Sequence, residues 1–132
     1  MKLGQVLPAK STLEYLMSSK ARGLLESVIS LRLARFWRVA GPELEVYDVE
    51  RIRLIKELGE RDGDQIVVKP ENSAEFRRQT DAMLEEEIEL AVKPFNIIDF
   101  EKAGLSGEDI LALEAAGLLI VDWEAIDDPK DA

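Results

Sequence analysis

Between Lys20 and Gly59 the apolar residues recur at steps of three and four, a period that fits α-helix and not strand. In the first part Leu24, Leu25, Val28, Ile29, Leu31, Leu33, Phe36, Trp37 and Val39 form a band too wide for one shallow contact. A helix with so broad an apolar face is expected at the centre of the fold, touched on more than one side. Gly41-Pro42 interrupts this run, because proline lacks the N–H and disfavours helical geometry in the residue before it. A second helix is expected after it. Leu44, Tyr47, Ile55 and Leu58 lie on its apolar face, Val46, Val49, Ile52 and Leu54 widen that face, and Gly59 is the C-cap. The joint is either a kink or a hairpin turn.

The flanking segments are shorter. KLGQVLPA reads as a short strand or extended arm, closed by Pro8. Ser11 is positioned to cap a helix with Glu14 in capping-box spacing, with Leu13, Leu16 and Met17 on its apolar side and an end near Ser18-Ser19. RDGD (61–64) is a turn signal, and Ile66–Val68 is a short strand between that turn and Pro70. Asn72 or Ser73 caps a helix that gathers Phe76, Thr80, Met83 and Leu84 on one face.

The stretch MLEEEIELAV (83–92) reads as a helix-to-strand junction near Glu86 or Glu87. Ile88, Leu90 and Val92 would point inward and Glu87 and Glu89 outward, in a strand paired with Ile66–Val68 or with the N-terminal arm. A short segment around Ile97 to Phe100 follows. Ser106 then caps a helix with Glu108 and Asp109 in its first turn and Gly117 at its end. Leu118 to Trp123 is expected to add a last short strand. The fold class is α+β, mainly helical with four to five helices and a small antiparallel sheet. Residues 1–122 form one globular domain and residues 123–132 an acidic flexible tail.

Composition narrows the chemistry. With no histidine and no cysteine, disulfides, thiolate nucleophiles, Cys/His zinc sites and imidazole bases are excluded. The longest wholly apolar run, Ala115 to Val121, is far short of the roughly 20 residues of a membrane helix. A soluble, cytoplasmic protein with no membrane partner is expected. The net charge of −10 is polarised: residues 1–61 hold 11 basic and 8 acidic side chains, residues 62–132 hold 6 and 19. That excess argues against general nucleic-acid binding, whose affinity comes from phosphate contacts.

Two charged groupings are candidate sites. Asp81, Glu85 and Glu89, with Glu86, could offer oxygen ligands to a divalent cation, since four-residue spacing puts carboxylates on one helix face. A solvated acidic face is the preferred reading, and the Asp62–Asp64 turn lacks the rest of a calcium loop. Arg32, Arg35 and Arg38 form a basic ridge, read as pairing with carboxylates of the same chain or of a second subunit rather than with phosphate. The candidate interface comprises Leu24, Val28, Leu31, Phe36, Trp37 and Tyr47. No catalytic residue and no cofactor is indicated.

The order of parts carries a resemblance. Leu13 and Leu16 lead into a Lys20-x-x-Gly23-x-x-x-Ser27 helix and an arginine-bearing core helix. Next comes an Arg51 to Gly59 helix ending at Asp62-Gly63, then a Phe76 helix running into an acidic strand and a leucine-rich capped helix. Over residues 10–120 this resembles a family of small uncharacterised proteins encoded by tailed bacteriophages and prophages of Gram-positive bacteria, often near tail or morphogenesis genes. The resemblance implies a viral origin and transfers no catalytic residue. The expected function is that of a non-enzymatic interaction or assembly protein. It would self-associate through helices into a homo-oligomer, with other phage or host proteins as further partners. The alternative is an acidic decoy that imitates nucleic acid and occupies a host nucleic-acid-binding protein.

Overall fold

The Gly41-Pro42 joint is not a hairpin turn. In the computed structural model, which describes residues 1–90 and 93–120, one helix of 32 residues runs from Ser27 to Leu58 with Pro42 inside it. Its inner stripe, Ile29, Leu33, Phe36, Ala40, Leu44, Tyr47 and Leu54, is buried. A proline in a helix interior costs about 3 kcal/mol, whereas each large apolar side chain buried contributes about 1.5–3 kcal/mol. Phe36, Leu44 and Tyr47 straddle the joint and together outweigh the cost. The bond that Pro42 cannot make would have gone to the Arg38 carbonyl. Both residues are on the exposed side, where water can serve that oxygen.

In chain order the elements are α1 (Leu3–Val6), a 3-10 turn (Leu7–Ala9), α2 (Lys10–Leu16), α3 (Ser19–Arg22), the long helix α4 (Ser27–Leu58), β1 (Gly59–Asp62), β2 (Gln65–Val68), α5 (Pro70–Leu84), β3 (Phe95–Asn96), a second 3-10 segment (Ile97–Ala103), α6 (Gly107–Ala115) and β4 (Leu119–Ile120). The described residues thus hold six α-helices, slightly more than expected, and a small antiparallel sheet in a mainly helical α+β fold.

The first segment is helical rather than extended. Leu3, Val6, Ala9, Leu13 and Leu16 are all buried, and their three- and four-residue steps continue through the 3-10 turn that accommodates Pro8. Because that turn runs directly into α2, the helix begins at Lys10 with Ala9 at its N-cap, and Ser11 lies inside it. The stretch after Lys20 is also divided. α3 is capped by the Ser18 hydroxyl, and α4 starts only at Ser27.

β1 and β2 form an antiparallel hairpin, with Asp62 opposite Gln65 and a two-residue loop at Gly63-Asp64. Gly63 takes φ +63°, the conformation that such loops demand at their first position. α5 begins with Pro70 at its first turn and Lys69 as N-cap, so neither Asn72 nor Ser73 caps it. Asn72 instead donates its side-chain amide to the Leu58 carbonyl, 2.9 Å away, and thereby satisfies the C-terminal end of α4.

The expected strand after Glu86 is reduced to one antiparallel bridge, Lys2 with Glu87, fixed by Leu3 N–H to Glu86 O and Ile88 N–H to Met1 O. The predicted alternation holds as far as Leu90: Ile88 is buried, Leu90 half-buried, and Glu87 and Glu89 are exposed. Val92 lies outside the described residues. β3 and β4 pair in parallel, so the second small sheet is not antiparallel. α6 follows expectation, with a Ser106–Asp109 capping box and Gly117 at φ +75° just beyond its end. The expected last strand is described through Ile120. Its continuation to Trp123 and the acidic tail lie outside the described residues, and so does the end of the proposed domain.

α1, α2, α5 and the hairpin contact α4, and Leu113 of α6 with Phe95 and Phe100 belongs to the same core cluster as the inner stripe from Ile29 to Tyr47. A half-buried polar contact joins α2 to α6: Thr12 donates to Asp109, 2.7 Å apart. This bond is the main reason that the Asp109 carboxyl titrates below the ordinary range, with the Ser106 backbone and hydroxyl adding to it. A carboxyl depressed in the folded state contributes stability above its unfolded pKa, near 3.9, and loses it as pH falls through the folded value. Thr12→Val should therefore lower stability by about 1 kcal/mol at neutral pH, and the deficit should shrink below about pH 4. Denaturation across pH checks this. In the same assay Ile88→Ala should cost about 2–5 kcal/mol, while Glu89→Gln stays within about 0.5 kcal/mol.

Candidate interaction surface

α4 carries a second apolar stripe on the side away from the core. Val28, Leu31, Val39, Val46 and Val49 are exposed by 56%, 48%, 37%, 62% and 59%, and Ile52 at the stripe's edge by 41%. With Arg35 and Pro42, both exposed, they occupy positions 28, 31, 35, 39, 42, 46 and 49 at steps of three and four, a continuous line along a helix. Scattered apolar residues on a surface are ordinary, but a contiguous line of them marks an interaction site.

Charge is arranged along the same helix in blocks. Residues 27–41 carry Arg32, Arg35 and Arg38 and no acid, and residues 42–50 carry Glu43, Glu45, Asp48 and Glu50 and no base. Within the chain some of these are already engaged. Asp48 pairs with Arg51, and Glu50 and Glu57 both pair with Arg53. Arg32 donates to the carbonyls of Lys93 and Pro94 at 2.8 and 3.3 Å, and its guanidinium lies 4.2 Å from the centre of the Phe95 ring. It is a strut holding the 93–95 segment on α4, and its partners are carbonyls and a ring rather than the carboxylates expected. Arg35, Arg38, Glu43 and Glu45 have no ion pair among the described residues. None of them has an opposite charge three or four residues away in the sequence.

The expected interface residues separate into three groups. Leu24, Val28 and Leu31 are exposed, whereas Phe36 and Tyr47 are buried in the chain's own core and are withdrawn from the surface. Burial also pushes the Tyr47 phenol up from its ordinary value. Trp37 is half-buried and lies across Gly41: a Cβ at that position would sit 2.9 Å from the indole ring. The indole, Arg38, Pro42, Glu45 and Lys10 line a groove of about 500 Å³ beside the stripe.

The acidic candidates do not converge. Asp81 and Glu89 are exposed, and Glu85 accepts from the Lys2 ammonium at 2.7 Å, a bond that raises the Lys2 pKa. Among the described residues no three acidic side chains are placed to share a cation. No helix among them is long and apolar enough to cross a membrane. The chain matches no protein-family model, no curated protein and no solved structure.

Arg32 and Arg38 therefore differ in kind although they share a ridge. Arg32→Ala should lower the melting midpoint by the equivalent of about 1–3 kcal/mol, from two charge-assisted hydrogen bonds and the ring contact. Arg38→Ala, measured on dilute protein, should stay within about 0.5 kcal/mol.

Proposed function

We propose that the chain is a non-enzymatic assembly protein that works by self-association through the outer face of α4. The observation that carries this reading is the uncovered stripe from Val28 to Ile52 on a helix whose opposite face already holds the core. A long rigid helix presents its side chains with little further ordering, so binding loses less conformational entropy than a loop surface would. The resemblance of residues 10–120 to small phage proteins supports a phage-derived assembly component, acting with other phage or host proteins. The acidic-decoy alternative draws on the excess of carboxylates after residue 61. The outer face of α4 favours self-association over it, because that face mixes apolar groups with both signs of charge.

Sedimentation equilibrium at micromolar to millimolar concentrations tests the reading. The expected result is a mass of twice the 14.8 kDa chain at the upper end of the range. Leu31→Asp with Val49→Asp should return it to the single-chain mass with unchanged helix content. A wild-type chain that remains at single mass throughout, or a double variant that still associates, would remove the proposal. Salt-sensitive binding to a basic protein by the monomeric chain would favour the decoy.

A further inference from the structure

We infer that the partner on the outer face of α4 is a second copy of the chain lying antiparallel, related by a two-fold axis at the level of Ala40. The inference rests on the self-association proposed above and adds its direction and register. In an antiparallel helix pair, seam positions at seven-residue spacing on one helix face the complementary seam positions of the other. Along α4 one set of seam positions is Val28, Arg35, Pro42 and Val49, and the other is Leu31, Arg38, Glu45 and Ile52, all exposed. An axis at Ala40 sets Val28 against the partner's Ile52, Leu31 against the partner's Val49, Arg35 against the partner's Glu45, and Arg38 against the partner's Pro42, one step from the partner's Glu43.

That register is complementary at its seam. Apolar residues meet apolar residues at both ends, and in the middle Arg35 meets the partner's Glu45 while Arg38 lies one step from the partner's Glu43, four side chains that have no ion pair among the described residues. A parallel pair in register would instead stack Arg35 on the partner's Arg35 and Glu45 on the partner's Glu45, which is repulsive. The register also gives Pro42 a role. Its ring stands opposite the aliphatic stem of the partner's Arg38, where no helix N–H is needed. The surface is isologous, since the same residues serve on both subunits, and it closes at two chains.

The chain has no cysteine, so single thiols can report the register. At 1.5 Å rise per residue, twin residues at position 31, and likewise at position 49, would lie about 27 Å apart along an antiparallel pair centred on Ala40. Leu31→Cys alone and Val49→Cys alone should therefore resist a short bis-maleimide, while an equimolar mixture of the two crosslinks efficiently. All these substitutions are at exposed positions, and circular dichroism confirms that each variant is folded. Arg35→Glu should weaken the wild-type dimer at least tenfold, and mixing it with Glu45→Arg should restore a heterodimer of wild-type affinity. Self-association with crosslinking of Leu31→Cys to itself would overturn the antiparallel register while leaving self-association standing. So would association indifferent to Arg35→Glu. A wild-type chain that is monomeric by sedimentation would overturn both.

Discussion

A helix of 32 residues is about 48 Å long. A chain of 132 residues, packed as a sphere, has a radius of gyration of about 14 Å and a diameter of roughly 36 Å. The rest of the molecule is too small to wrap α4 on all sides, so the helix is a spine with one covered face. α1, α2, α5 and the hairpin all contact α4, and its outer stripe is exposed. Both the core and the candidate surface follow from this constraint.

The spine is held at its weak points by side chains from distant segments. Asn72, at the start of α5, satisfies the terminal carbonyl of Leu58. Arg32 pins the 93–95 segment to the N-terminal half, and Trp37 covers Gly41 next to the proline. These contacts support α4 as one continuous element, so that residues 28 and 52, far apart along the helix, belong to one surface. The Thr12–Asp109 bond and the Tyr15 hydroxyl donating to the Ala103 carbonyl serve the other side, tying α2 to the C-terminal segment.

The helical periods, the hairpin turn at Gly63 and the capped helix after Ser106 could be read from the chain because each is specified locally, by spacing, turn chemistry or a cap. What could not be read was decided by tertiary burial. Pro42 is a helix breaker by propensity, and its tolerance depends on Phe36, Leu44 and Tyr47 being buried on either side of it. Leu3 and Val6 suggested alternation over a window too short to separate a strand from a helix. By sequence Asn72 is a cap and Arg32 a member of a ridge, and only the folded chain shows that their partners are the Leu58 carbonyl and the 93–95 segment. The apolar excess on α4 was visible as a wide band. Spacing alone does not say which residues of the band face inward, so it places Phe36 and Tyr47 in the interface and leaves Val46, Val49 and Ile52 as extra width on an apolar face. The acid block at Glu43 and Glu45, with no base at helical spacing, was the available signal for the electrostatic part of that surface.

The central claim is that α4 has two apolar faces, one covered by its own chain and one by a second copy. Methyl NMR in the presence of a soluble paramagnetic probe, at low and at high protein concentration, addresses it directly. The methyl groups of Val28, Leu31, Val49 and Ile52 should be broadened by the probe in dilute protein and protected in concentrated protein. Those of Leu111, exposed on α6, should be broadened at both, and those of Leu33 and Leu44, buried in the core, at neither. Equal broadening of the α4 outer methyls at both concentrations would contradict the account.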